Sequence, residues 1–168
     1  MSKLQNMRGI EIKRFRAVSS GLKTFDELFG KNGFAEWLES HRHLVQEHIY
    51  EPTDFLWHEG DKETWGCGQN VFISAIKDEV TQADVDPYEI IEFPGGMFLV
   101  ATGDENNNAD LNETVNYMMQ WIENSDIFEY GDFPISGMCN MPNPGGAFDK
   151  ALGIAQQQIY LPLKIRSK

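Results

Sequence analysis

Residues 88–100 read Tyr88-Glu89-Ile90-Ile91-Glu92-Phe93-Pro94-Gly95-Gly96-Met97-Phe98-Leu99-Val100. Two β-rich runs flank a Pro-Gly-Gly break. Proline removes an N–H donor and glycine admits positive φ, so such a triplet ends or bulges a strand. The first run has a counterpart near the N-terminus, where Glu11-Ile12-x-x-Phe15 matches Glu89-Ile90-x-x-Phe93. Glu36-Trp37-Leu38-Glu39-Ser40 then matches Gln120-Trp121-Ile122-Glu123-Asn124, and Val71-Phe72-Ile73 matches Ile159-Tyr160-Leu161, at offsets of 78, 84 and 88 residues and in the same order. Each repeat therefore reads strand, helix, strand, strand. Alone it would expose an apolar sheet face, so two must associate. A duplicated unit also offers a cleft on its pseudo-twofold axis, where small molecules bind. The expected fold is α+β: duplicated βαββ units with pseudo-twofold symmetry, an antiparallel sheet, helices on one face and a central cleft. The expected organisation is a short flexible N-terminus over residues 1–8 and a single domain over 9–168, with repeat 1 at about 9–80 and repeat 2 at about 88–166.

Working outward, the near alternation from Gly9 to Val18 predicts one strand. Thr24-Phe25-Asp26-Glu27 has the form of a capping box, opening a short helical turn that Gly30 stops. Asn32 is placed to cap a helix from about Gly33 to His48. Phe55–His58, Val71–Ile76, Tyr88–Phe93 and Met97–Thr102 read as strands. Asp110 with Glu113 forms a second capping box, for a helix over about 111–124 whose Leu111, Val115, Met118, Met119 and Ile122 make one apolar stripe. Phe133–Met141 reads as extended, Pro142-Asn143-Pro144-Gly145-Gly146 begins a long loop, and Gln158–Ile165 is the last strand. Pro162 marks that strand as an edge, or as irregular there.

A chain of 168 residues is one domain, and 41% hydrophobic residues exclude a mostly disordered one. The net charge of −12 repels phosphate backbones and anionic membranes, which speaks against direct nucleic-acid or membrane binding. No run of about 18 apolar residues exists, and the N-terminus lacks the apolar core of a secretory signal. The two cysteines, Cys67 and Cys139, form no CxxC pair and read as buried, reduced thiols of a cytoplasmic protein.

Few motifs carry chemistry outright. Asp104, Asn106, Asn108 and Asp110 alternate like the start of a Ca²⁺ loop, but Ala109 and Val115 stand where such a loop needs Gly and Glu. The plainer reading is a solvated loop that ends in a helix cap. His41 and His43 point about 200° apart on a helix and cannot share a metal. Neither a metal nor a cofactor is expected. GxSxG and P-loop motifs are missing, and Cys67, between two glycines, has no sequence-placed histidine partner. The aromatics Trp57, Trp65, Phe72, Phe98, Phe133 and Tyr160 lie on strands or strand ends, and about half of them would be ordinary core. Trp57-His58-Glu59-Gly60-Asp61 and Trp65 differ, because flat rings beside carboxylates suit a planar or cationic apolar ligand. Met138 and its fellow methionines add adaptable walls.

The stretch at 88–100, with Trp121-Ile122 and Ile159-Tyr160-Leu161-Pro162-Leu163, resembles the second repeat of the GyrI-like (gyrase-inhibitor-like) small-molecule-binding domain, also the effector-binding domain of AraC-type bacterial transcription activators. The likeness spans about residues 9–166. It implies two βαββ units, an antiparallel sheet and a ligand cleft to which Tyr160 contributes. Ser136 and Met138 stand where the family carries Glu and Tyr, which weakens the expectation of the family's cation recognition. Without room for a helix-turn-helix before Gly9, the chain is expected to act as a stand-alone domain.

Three functions follow as expectations. The first is capture of a hydrophobic, planar, possibly cationic small molecule for sensing or sequestration, with Trp57, Glu59, Trp65, Phe72, Glu92, Phe98, Phe133, Met138 and Tyr160 as ligand-binding residues. Of these, Trp57, Trp65, Phe98 and Tyr160 are expected to line one cleft. The second, implied by the resemblance, is hydrolysis of electrophilic cyclopropane-bearing compounds, with Glu59 and Glu92 as the catalytic acids and Asp61 as a further candidate. The third is an acidic protein-interaction role, with a DNA-handling enzyme as partner.

Overall fold

The computed structural model describes residues 6–47, 54–58, 69–131, 137–142 and 146–168. The chain forms two compact units: Lys13–Gly95, and Gly96–Lys168 together with the N-terminal stretch ending at Ile12. The elements in chain order are β1 (Arg8–Ile12), β2 (Phe15–Thr24), α1 (Phe25–Phe29), α2 (Phe34–Ser40), a 3-10 turn (Arg42–Leu44), β3 (Asp54–His58), β4 (Gln69–Ala75), α3 (Gln82–Val85), β5 (Glu89–Phe93), β6 (Gly96–Asp104), α4 (Asn108–Glu123), β7 (Phe128–Tyr130), β8 (Gly137–Asn140), α5 (Ala147–Leu152) and β9 (Gln156–Ile165).

In the 13–95 unit the strands lie in the order β5-β2-β4-β3, all antiparallel. In the other unit the order is β1-β6-β9-β8, again antiparallel, with β7 also pairing β9. The two orders correspond strand for strand, which is the duplication read from the sequence. The single strand expected over Gly9–Val18 is in fact two strands, parted at Lys13-Arg14, and its two pieces serve different units. β1 pairs with β6, from Arg8↔Val100 to Ile12↔Gly96, whereas β2 pairs with β5, from Phe15↔Phe93 to Ser19↔Glu89. The matching break at Pro94-Gly95 hands the chain back. There Gly95 (φ 74°) and Gly96 (φ 147°) take conformations that L side chains rarely adopt.

Local chemistry sets the helices. Thr24 Oγ1 accepts the Glu27 N–H at 3.3 Å while the Glu27 carboxylate accepts the Thr24 N–H at 2.8 Å, so the predicted capping box starts α1, and Gly30 follows it. The helix expected over 33–48 is shorter. α2 begins after Gly33 rather than Asn32 and ends at Ser40. Beyond it the backbone is claimed by β4's end: the Gln46 N–H donates to the Ala75 carbonyl, the Lys77 N–H donates to the Leu44 carbonyl, and Val45 bridges Ile76. These bonds are incompatible with a continuing helix. α4 begins earlier than expected, because Asn107, not Asp110, accepts the capping N–H, that of Asp110 at 3.1 Å. The Asp110 carboxylate instead accepts the Asp104 N–H at 2.8 Å and closes the strand-to-helix loop. Asp104 Oδ1 accepts the Asn106 N–H, so the alternating acidic residues serve as turn acceptors.

Pro162 corrects another expectation. β9 pairs with β6 from Gln156 to Leu163 and, on its other side, with β8 at Gln158–Tyr160 and with β7 at Leu163–Ile165. It is no edge. Pro162 falls between the β8 and β7 pairings, and its carbonyl accepts the Gly131 N–H at 2.9 Å. The nitrogen and carbonyl of one strand residue face the same side, so the missing donor lies on the Gly131 side and the ladder to β6 loses no bond at Pro162.

The helix-side core of the 13–95 unit gathers Val18, Leu28, Phe34, Leu38, Val45, Ile76, Val80 and Val85, with Leu56, Phe72 and Ile90 against it. Phe34 is fully buried and meets Trp37, Phe72 and Tyr88 ring to ring. Phe34→Ala is therefore expected to cost about 3–5 kcal/mol, read as a lowered midpoint in urea unfolding.

Candidate functional site

Side chains alternate across a strand. In the 13–95 unit, Val18, Leu56, Phe72 and Ile90 face the helices, so Phe15, Ala17, Phe55, Trp57, Ile73, Ile91 and Phe93 face the other way. Four rings gather on this helix-free face. Phe15 stacks on Phe93 at 4.7 Å and on Phe55 at 6.1 Å, and Trp57 lies 6.4 Å from Phe93. The Trp57 indole N–H is buried and has no hydrogen-bond partner.

In the 96–168 unit, a Cβ at Gly103 would meet Leu111 of α4 at 2.8 Å, which identifies the helix side. Gly103, Ala101 and Leu99 point there. Phe98, Val100 and Thr102 therefore point away, as do their ladder neighbours Tyr160 and Gln158 and, opposite those, Met138 and Asn140. Phe98 and Met138 are fully buried and Tyr160 is 2% exposed. Phe98 meets Tyr160 edge to face at 6.4 Å. Around these apolar groups runs a buried polar set. The Tyr160 hydroxyl donates to Asn140 Oδ1 at 3.3 Å, and Arg8 donates to Gln158 Oε1 at 2.8 Å. Asn140 is 7% exposed and its Nδ2 has no partner.

The nine residues singled out from the sequence thus divide. Phe98, Met138 and Tyr160 lie together on one helix-free face, and Trp57 lies on the helix-free face of the other unit. Phe72 is on the helix side, packed against Phe29 and Phe34. Glu92 is a half-exposed carboxylate in an ion pair with Arg14, and the Pro-Gly-Gly break does not turn it onto the helix-free face. Glu59, Trp65 and Phe133 lie outside the described residues, as do Asp61, Cys67, His48 and Ser136. Sequence reasoning missed Phe15, Phe55, Phe93, Asn140 and Gln158. Parity was the available signal: Phe93 shares a face with Phe15 through the ladder, and Asn140 alternates in step with Met138.

Three titratable groups are perturbed in ways that bear on chemistry. Burial pushes the Cys139 thiol up to about 12, so it is a protonated, inert thiol at neutral pH. Glu105 is held above the ordinary carboxylate range, first by burial and then by Asp149 and Asp104. Burial lowers the His58 imidazole, opposed by its 2.8 Å hydrogen bond to Asn70 Oδ1. Among the described residues, no group of three or more His, Cys, Asp or Glu is arranged to hold a metal, and no helix is long and apolar enough to cross a membrane.

No family model matches the chain and no curated protein matches it; the likeness appears in three dimensions. The chain is similar to the tetraphenylphosphonium complex of SAV2435, at TM-score 0.56 and 9% identity over 95% of this chain and 94% of that one. It is similar to the C-terminal domain of EcmrR, at TM-score 0.61 and 12% identity over 96% and 98%. It is also similar to a hydrolase from Listeria innocua, at TM-score 0.60 and 12% identity over 94% and 91%. The fold is that of GyrI-like domains, as the stretch at 88–100 implied.

Two outcomes are expected. The folded-state pKa of His58 is depressed, so its contribution to stability is complete above the unfolded value of about 6.5 and is lost as pH falls through the folded value. Between pH 7 and 5 the wild-type melting temperature should fall more steeply than that of His58→Gln. In a Cys67→Ser background, Cys139 should fail to react with an aromatic disulfide reagent at pH 8 until denaturant is added.

Proposed function

We propose that this protein captures a hydrophobic, planar small molecule on its helix-free aromatic faces, for sensing or sequestration. The observation that carries this reading is the pair of ring layers, buried Phe98 with Tyr160 and Met138 in one unit and buried Phe55 and Phe93 with part-exposed Phe15 and Trp57 in the other, on the sheet faces that the helices leave uncovered. Aromatic and thioether surfaces suit flat apolar ligands. A fold shared with a tetraphenylphosphonium complex and with a C-terminal domain of the EcmrR type supports the same reading.

Binding is preferred to hydrolysis. A hydrolase would need an acid at the ligand, and among the described residues the candidate Glu92 is engaged with Arg14 at the surface. Among those residues too, Glu105, a carboxyl with a raised pKa, stands with Asp104 and Asp149 rather than in either ring layer. The acidic surface also disfavours duplex DNA as a partner.

Titration with a panel of planar tricyclic dyes, neutral and cationic, should yield members that quench tryptophan emission and raise the melting temperature, with about 2.7 kcal/mol of added stability at one hundred times Kd. Trp57→Phe should reduce the quench. If no member of the panel changes either signal, the reading fails.

A further inference from the structure

The proposed capture reading leaves the polarity of the ligand open, and the helix-free faces bear on it. Each carries one buried N–H donor without a partner: Asn140 Nδ2 in the 96–168 unit and Trp57 Nε1 in the 13–95 unit. A buried donor left unpaired costs about 1–3 kcal/mol, so a ligand that supplies an acceptor is favoured by relief of that penalty. The charges on the same faces tell against a cation. Among the described residues their carboxylates are Glu89, Asp104 and Glu129. Glu89 is exposed at the start of β5, and Asp104 lies at the end of β6 with Oδ1 accepting from Asn106. Glu129 is paired with Lys164 and Arg166. Among the described residues the cations on the 96–168 face are Lys164, paired with Glu129, and Arg8, held on Gln158 beside Tyr160 and Asn140. An organic cation placed here would lose its hydration and meet a guanidinium instead of a carboxylate.

We propose that the ligand is a neutral aromatic hydrogen-bond acceptor, a planar ketone, quinone or lactam, whose carbonyl accepts from Asn140 Nδ2, and not an organic cation. Resting on the capture reading, this assigns Asn140 as the specificity-determining residue. Tyr160 holds the amide by donating to its oxygen, which leaves the buried Nδ2 as the amide's unpaired donor, and Phe98 and Met138 supply the apolar walls.

The test uses one ring system in two charge states, N-methylacridone and N-methylacridinium, titrated by calorimetry against the intact protein. The acridone should bind at least about tenfold more tightly, one hydrogen bond's worth. Asn140→Leu should remove that advantage by weakening the acridone alone, and Asn140→Asp should reverse the order by favouring the acridinium. Wild-type protein that binds the acridinium as tightly as the acridone overturns the proposal, whether or not the Asn140 variants fold, and leaves the capture reading standing. An acridone affinity unchanged in a folded Asn140→Leu protein also overturns it. If neither compound binds, and the wider panel is silent as well, the capture reading falls with it.

Discussion

Strand exchange between the two halves of the sequence is the constraint on which the rest of the structure depends. β1 completes the sheet of the unit built from residues 96–168, and β5 completes the sheet of the unit built from 13–95. These two ladders, β1–β6 and β2–β5, join residues 70 to 92 positions apart, a separation that local propensity cannot specify. The breaks at Lys13-Arg14 and at Pro94-Gly95 are where the chain passes from one unit to the other. The two glycines at positive φ are therefore structural requirements of the second passage.

Once the sheets are assembled this way, alternation partitions every strand residue between a helix side and a helix-free side. The helix side takes aliphatic groups and the ring cluster of Phe34, Trp37, Phe72 and Tyr88, packed by α1, α2 and α4. The helix-free side takes most of the strand rings and, in one unit, amides and hydroxyls. Burying Asn140, Gln158 and Thr102 is unfavourable unless they are bonded, and a fold gains nothing from an amide end left unpaired. Polar groups retained in such a place act on selectivity more than on stability.

Pro162 shows how tertiary context rearranges a local rule. Proline in a strand normally signals an edge, because a central strand uses its N–H groups on both sides. β9 is central, yet its second neighbour changes from β8 to β7 at this residue, and the donor that proline lacks points to that junction and not to β6. Likewise the helix expected up to His48 stops at Ser40, because Ala75 and Lys77 compete successfully for the backbone groups of Leu44 and Gln46.

Much of this protein was legible in the residues themselves. The repeat of Glu-Ile-x-x-Phe, the Pro-Gly-Gly break, the Thr24 capping box and the stripe through Met118 and Ile122 are local patterns, and local patterns determine element type and the duplicated α+β plan. Phe98, Met138 and Tyr160 were readable as candidates because strand aromatics and a methionine sit at readable positions, and the structure places the three on one helix-free face. What the residues could not show was partnership. That β1 leaves its own repeat, that Phe72 turns to the helices while Phe93 turns away, and that Glu92 meets Arg14 at the surface all depend on register. A shift of one residue reverses every facing. Register is decided by the whole ladder at once, so the tertiary structure alone distinguishes a ring in the core from a ring at the site.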